Sequence, residues 1–129
     1  MTSPAPRLLV VDDHPDTLLM LNRLLTRSGF EVHTALSAGE AVVLAQSNSF
    51  DLALVDVGLP DRDGCDLMRE LRDVYGLKGI ALTGYGMQED VERCRAAGFS
   101  SHVLKPFDMR ELIGIVTAVV GGRDVTPSQ

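Results

Sequence analysis

Cysteine, long apolar runs and basic charge are all scarce in this sequence, and each scarcity excludes a class of protein or site. Cys65 and Cys94 stand alone, without CxxC spacing or a histidine at metal-ligand separation, so we expect reduced structural thiols. The net charge of −6 disfavours direct nucleic-acid binding, which needs a basic surface to neutralise phosphates. The apolar runs are too short to cross a bilayer, so no membrane insertion is expected.

The overall composition is that of a globular domain. The chain has 129 residues, of which 45% are hydrophobic and 23% are charged, as in typical folded proteins. This length accommodates one domain, which we predict over residues 6–121, with flexible tails at 1–5 and 122–129. The N-terminal segment MTSPAPR lacks the apolar region of a signal peptide, which favours a cytoplasmic location.

Apolar residues alternate between two periods along the chain and predict repeated strand–helix units. Short runs rich in Val, Leu and Ile predict five strands: RLLVV (7–11), EVHTA (31–35), LALV (52–55), GIALT (79–83) and SHVL (101–104). Apolar residues three or four apart predict a helix from Pro15 that closes at Gly29, and helices near 38–47, 64–75, 88–97 and 109–120. Right-handed crossovers place such helices on both faces of a parallel sheet, so we predict an α/β three-layer sandwich.

Two of the predicted helices have residue pairs at their first turn that are typical of a helix N-terminus. Ser37 with Glu40, and Asp108 with Glu111, have the spacing of a capping box.

The last helix is apolar around much of its circumference, through Leu112, Ile113, Ile115, Val116, Val119 and Val120. A helix packed on one side needs fewer apolar residues. The excess could bury against a second copy in a homodimer, against another partner, or within the chain's own core.

Polar and charged residues follow four of the five predicted strands. Asp12 and Asp13 follow the first strand, Asp56 the third, Thr83 the fourth and Lys105 the fifth. Ligands of open parallel sheets bind beyond the carboxyl ends of the strands, so these side chains are expected to meet. Three clustered carboxylates repel one another and need a cation. Mg²⁺ fits, because it binds a few carboxylates and keeps waters and substrate oxygens as its other ligands.

At these residues the chain resembles the receiver domain of bacterial two-component response regulators. The resemblance rests on VVDDHP, LALVDVGLPDRDG, ALTG and LKPF, which stand in the family's order and spacing over roughly residues 6–121. It implies a flavodoxin-like (βα)5 fold with the strand order 2-1-3-4-5. ALTGYG followed by AAGF is similar to receivers attached to hybrid sensor histidine kinases.

The resemblance also implies the metal ligands and the reacting residue. Asp56 would be the phosphoacceptor, and Asp12 and Asp13 would hold Mg²⁺ together with Asp56 and the backbone carbonyl of Gly58. A carboxylate held in line is a competent nucleophile toward a phosphoryl group. Such a domain catalyses only its own phosphorylation and dephosphorylation, so we do not expect an enzyme in the usual sense.

The same resemblance implies partners and a switching surface. Thr83 and Lys105 would bind the transferred phosphoryl group, which a histidine kinase or histidine phosphotransfer protein would supply. Phosphorylation would then alter the face made by the fourth helix, the fifth strand and the fifth helix. The Lys105–Pro106 peptide bond would be cis, as in the family.

One position departs from the family. Receivers carry Tyr or Phe three residues before the conserved Lys, whereas this chain has His102. Tyr85, two residues after Thr83, offers another ring in the same region, and Gly84 and Gly86 on either side would ease backbone motion. Whether His102 or Tyr85 acts as the switch is left open by the sequence.

Two other functions compete with the signalling interpretation. The first is a Mg²⁺-dependent phosphohydrolase with Asp56 as nucleophile, although DVG lacks the second Asp that would protonate a leaving group. The second is a flavodoxin-like binding module, although no phosphate-cradling loop follows the first strand. Asp61 and Asp63 are expected to be exposed or to cap a helix. His14 and His33 receive no role.

Overall fold

The structure is a computed structural model that describes residues 5–84 and 88–121, without the side chains of 88–91 and 94. Within these residues, five strands and five helices alternate along the chain. The strands are β1 (Arg7–Val11), β2 (Glu31–Ala35), β3 (Leu52–Asp56), β4 (Lys78–Thr83) and β5 (Phe99–Leu104). The helices are α1 (Pro15–Arg27), α2 (Ala38–Ser47), α3 (Gly64–Tyr75), α4 (Gln88–Ala97) and α5 (Met109–Val120). Apart from Ala5, the predicted flexible tails lie outside the described residues.

The strands form one parallel sheet in the order β2-β1-β3-β4-β5. This order confirms the predicted flavodoxin-like α/β fold. Because every crossover in the sheet joins parallel strands through a helix, all strand carboxyl ends lie at one edge. No helix within the described ranges has the length and apolar character that crossing a bilayer requires.

Hydrophobic side chains fill both spaces between the sheet and its helices. Along β1, Leu8 and Val10 pack in the layer that contains the buried residues of α1 and α5. Leu9 and Val11 point to the opposite layer, which contains those of α2 and α3. All four side chains have no exposure to solvent. A strand buried on both faces explains why β1 is a continuous apolar run rather than an alternating one.

The predicted helix ends are confirmed where the structure describes them. Ser37 accepts a hydrogen bond from the amide of Glu40 at 3.2 Å, and so caps α2. Asp108 caps α5 and accepts from the amide of Glu111 at 3.1 Å. Gly29 has φ of 99°, a left-handed conformation that only glycine adopts without steric cost, directly after the C-cap of α1.

The predicted start of the fifth strand was wrong. We expected a strand over 101–104, whereas β5 begins two residues earlier at Phe99. Phe99 pairs with Gly79 and Ser101 pairs with the next residue of β4, so that Ser100 is left between the pairs. This irregularity is a local break in the strand pairing. The segment that contains it follows a glycine and includes two serines, a composition that is typical of a turn. The strand forms there because Phe99 is buried against the core.

Most of the apolar surface of α5 lies in the chain's own core. Leu112, Ile115, Val116 and Val119 are buried, and Val120 packs against the same cluster. The core therefore accounts for most of the apolar excess that the sequence presents in this helix. Pairing of two copies through α5 stays a prediction.

Two carboxylates fix the loop between β3 and α3 to neighbouring helices. Asp61 accepts hydrogen bonds from the amides of Ala38 and Gly39, each at 3.1 Å, at the first turn of α2. These two amide donors lower the pKa of Asp61, although some desolvation of the carboxylate opposes the shift. Asp63 is the N-cap of α3 and forms an ion pair with Arg93 of α4. Both residues thus cap helices, as expected.

We expect Asp61→Ala to lower the stability of the domain in a pH-dependent way. The pKa of Asp61 is lower in the folded state, so its stabilising effect is fully present above its unfolded pKa. It is lost as the pH falls through the depressed folded pKa. Urea unfolding of both proteins from neutral to acidic pH should show a stability difference that disappears in acid. Asp73→Ala, which removes an exposed carboxylate from α3 without freeing a helix terminus, is the control.

Gly64 approaches the backbone of β3 so closely that no side chain fits there. A Cβ atom at this position would lie 2.3 Å from the carbonyl oxygen of Asp56 and 2.6 Å from Cα of Val57. We expect Gly64→Ala to destabilise the domain by about 3 kcal/mol or more, because backbone atoms cannot yield. Gly114 in α5 has open space around it, so Gly114→Ala should stabilise by about 0.5–1 kcal/mol. Equal urea midpoints for the two variants would contradict this account.

Candidate functional site

The strand ends bring two acidic residues and one basic residue into contact at the carboxyl edge of the sheet. Asp12 directly follows β1, Asp56 ends β3 and Lys105 directly follows β5. The Asp12 side chain has no exposure to solvent, and Asp56 is only 7% exposed as a residue. Since β1 and β3 are neighbours in the sheet, the two carboxylates at their carboxyl ends come to one place.

Lys105 forms ion pairs with both buried carboxylates. Its Nζ lies 2.7 Å from Oδ2 of Asp12 and 3.2 Å from Oδ2 of Asp56. Burial acts to lower the pKa of Lys105, but the hydrogen bond and charge of Asp12, with a further contribution from Asp56, raise it overall. The side chain therefore stays an ammonium ion at neutral pH. The peptide bond between Lys105 and Pro106 is cis.

Asp13 extends the acidic cluster, and His14 joins it. The Nδ1 atom of His14 lies 2.9 Å from Oδ1 of Asp12 and 3.2 Å from Oδ1 of Asp13. The hydrogen bond to Asp12 and the charges of both carboxylates raise the pKa of His14. One ligand atom from each of Asp12, Asp13, His14 and Asp56 lies within 4.8 Å of the others. Sequence reasoning missed His14, although its place directly after Asp13 was a signal.

Gly58 contacts Asp56 through its backbone. Its amide donates a hydrogen bond to Oδ1 of Asp56 at 2.9 Å, while Lys105 faces Oδ2 of the same carboxylate. The two oxygens of Asp56 therefore have different partners, and the plane of the carboxylate is fixed. A Cβ at Gly58 would be 3.6 Å from Oδ1, an ordinary contact.

Thr83 lies at the same edge but is not bonded to the carboxylates. It ends β4 and is 2% exposed, and its hydroxyl donates to the carbonyl of Val103 at 3.5 Å, a long hydrogen bond. Its own carbonyl accepts from the amide of Lys105 at 2.8 Å. The structure thus places Thr83 next to the segment that carries Lys105, with its hydroxyl directed at β5.

Of the two candidate switch residues, the structure describes only His102. His102 lies in β5, opposite Ala81 of β4, and is half-buried. Tyr85 lies outside the described residues.

The residues of this edge fit a hard divalent cation. Three carboxylates share the site with a single ammonium ion, which leaves net negative charge. Oδ1 of Asp13 is buried, and none of the described residues forms a hydrogen bond with it; the His14 ring approaches it without hydrogen-bond geometry. A cation beside this oxygen would satisfy it. Carboxylate oxygens are ligands that Mg²⁺ prefers. The cluster could therefore hold a metal ion.

Comparison with known proteins agrees with the fold and with the acidic cluster described above. The family model described as "Response regulator receiver domain" matches residues 8–117. The chain is 39% identical over 112 residues to an uncharacterised 14.6 kDa protein from the sodA1 3′ region of Leptolyngbya boryana, covering 84% of this chain and 86% of that one. Two solved structures provide further comparisons.

A CheY-like receiver domain protein from Methanospirillum hungatei JF-1 superposes with a TM-score of 0.86 at 31% identity, covering 92% of this chain and 95% of that one. A response regulator from Chloroflexus aurantiacus J-10-fl superposes with a TM-score of 0.83 at 32% identity, covering 91% and 98%. With its strand order, its cluster of aspartates and a family match over most of its length, this chain belongs to the response regulator receiver domain family of two-component signalling proteins.

Proposed function

We propose that this domain is the phosphoacceptor of a two-component phosphorelay and that Asp56 receives the phosphoryl group. The donor is the phosphohistidine of a histidine kinase or of a histidine phosphotransfer protein. One observation carries the proposal. Asp56 is nearly buried at the ligand-binding edge of a receiver domain, with the Lys105 ammonium ion at 3.2 Å and further carboxylates beside it.

The chemistry of the transfer follows from the partners of Asp56. A carboxylate oxygen attacks phosphorus, a P–O bond forms, and the P–N bond to the donor histidine breaks with its electron pair left on the imidazole nitrogen. The Gly58 amide and the Lys105 ammonium ion hold the two oxygens of Asp56 in a fixed plane before attack. Lys105 can then also neutralise charge on the incoming phosphoryl oxygens.

The proposed cation ligands are Asp12, Asp13, Asp56 and the backbone carbonyl of Gly58. When bound, Mg²⁺ supplies positive charge that stabilises the oxygens of the phosphoryl group during transfer. Asp12 presents Oδ2 to Lys105 and Oδ1 to the amide and the ring of His14, so its two oxygens can serve an ammonium ion and a cation separately. Asp13 presents a buried oxygen that lacks a hydrogen-bond partner among the described residues.

Thr83 supports a route from the site to the face formed by α4, β5 and α5. We propose that its hydroxyl turns from the carbonyl of Val103 toward a phosphoryl oxygen on Asp56. That turn would break the long contact with β5, while the hydrogen bond from Lys105 to the Thr83 carbonyl still joins the two segments. A change at Thr83 would therefore reach β5, where Leu104 is 49% exposed.

We expect acetyl phosphate with Mg²⁺ to add one phosphoryl group to the chain and Asp56→Asn to abolish the addition. The amide of Asn is not a nucleophile toward phosphorus, whereas its shape matches the carboxylate. Intact mass spectrometry measures the product directly. Asp51→Asn is the matched control, because Asp51 lies just before the opposite end of the same strand. Equal labelling of the Asp56 variant would contradict the assignment.

We expect Asp13→Ala to weaken Mg²⁺ binding far more than Asp61→Ala does. Asp13 belongs to the acidic cluster, whereas the Asp61 carboxylate caps α2. The loss should be at least about tenfold, since removing even an outer partner of a metal ligand has effects of that size. Titration with Mg²⁺ followed by NMR gives both dissociation constants. Similar constants for the two variants would show that the cation site lies elsewhere.

A further inference from the structure

His14 occupies a position that neither helix capping nor the proposed phosphotransfer explains. It is the N-cap of α1, yet its side chain makes no capping hydrogen bond, and histidine is not among the preferred N-cap residues. Instead, the Nδ1 atom of its ring contacts the carboxylates of Asp12 and Asp13 in the acidic cluster. The backbone at this residue is held in place, because its amide donates to Oδ1 of Asp12 at 2.9 Å.

The position of Nδ1 matches that of a metal ligand. Neighbouring ligands of an octahedral cation at about 2.1 Å lie about 3.0 Å apart. The Nδ1 atom is 2.9 Å from Oδ1 of Asp12 and 3.2 Å from Oδ1 of Asp13. Its contact with Asp12 is a hydrogen bond, whereas the Asp13 oxygen is buried and forms no hydrogen bond with a described residue. A cation beside that oxygen would give it a partner, and at Nδ1 it would replace the proton that now forms the hydrogen bond to Asp12, because a histidine that binds a metal is neutral.

We propose that Nδ1 of His14 is a nitrogen ligand of the cation site, so that the site favours divalent transition metals such as Mn²⁺ and Co²⁺ over Mg²⁺. The inference rests on the proposed function, because it uses the same carboxylates. Imidazole nitrogen binds metals of the first transition series well, and affinity rises from Mn²⁺ to Co²⁺. Mg²⁺ prefers oxygen ligands and gains less from this nitrogen.

The surroundings of His14 allow this role. The side chain is 64% exposed, so the ring can adjust to a metal and leave room for water ligands. Lys105 lies at the other oxygen of Asp12, and its ammonium ion therefore does not occupy the side that Nδ1 faces. The donor set would be the three carboxylates, the imidazole and the proposed backbone carbonyl of Gly58.

Pulsed EPR of Mn²⁺ bound to the full chain tests the inference. With the histidine imidazoles labelled with ¹⁵N, we expect the coupling of a directly bound nitrogen in the unaltered protein. It should be lost in His14→Asn and retained in His33→Asn, since His33 lies in β2, away from the cluster. Asn is a preferred N-cap residue, so the start of α1 is preserved; His14→Ser is a second variant of the same kind.

Competition against bound Mn²⁺ provides a second readout. We expect His14→Asn to lower Co²⁺ affinity by at least about tenfold, while Mg²⁺ affinity changes far less. Mn²⁺ binding that depends on Asp13 but shows no nitrogen coupling would overturn the inference and leave the proposed cation site standing. Absence of Mn²⁺ binding would overturn both. An unchanged ratio of Co²⁺ to Mg²⁺ affinity in both His14 variants would also reject the nitrogen ligand.

Discussion

Asp12 carries a carboxylate with no exposure to solvent, and a buried charge of this kind is stable only beside a charge of opposite sign. Lys105 supplies that charge at 2.7 Å and reaches Asp56 with the same ammonium ion. The two partners come from the first and fifth strands of the chain. The contact therefore requires β1, β3, β4 and β5 to lie in their observed order and direction.

The same electrostatic balance leaves net negative charge at the site, which a cation could neutralise. One ammonium ion cannot neutralise three carboxylates, and Lys105 forms its two ion pairs with Asp12 and Asp56. The same carboxylates raise the pKa of His14, chiefly through its hydrogen bond to Asp12. The loop after Asp56 is held independently, because Asp61 and Asp63 cap α2 and α3 and so fix the backbone that carries Gly58.

Much of the fold follows from local patterns. The apolar periods predict the order and nearly all bounds of the strands and helices, and the capping residues Ser37 and Asp108 mark two helix starts correctly. The error at β5 has a physical reason. Ser100 and Ser101 resemble a turn in isolation, and only the burial of Phe99 against residues of distant segments makes them part of a strand.

The sequence by itself determined which polar residues stand at the strand ends, because a buried parallel strand is recognisable from its own apolar run. Only the tertiary structure decided how those residues pair. Thr83 points to Val103 rather than to a carboxylate, Asp61 caps a helix that precedes it in the chain, and His14 joins the acidic cluster. Each of these contacts depends on which donors and acceptors the packed chain brings within about 3 Å of one another. Several donors can reach the same acceptor in the folded chain, and the local pattern of apolar residues does not say which of them binds it.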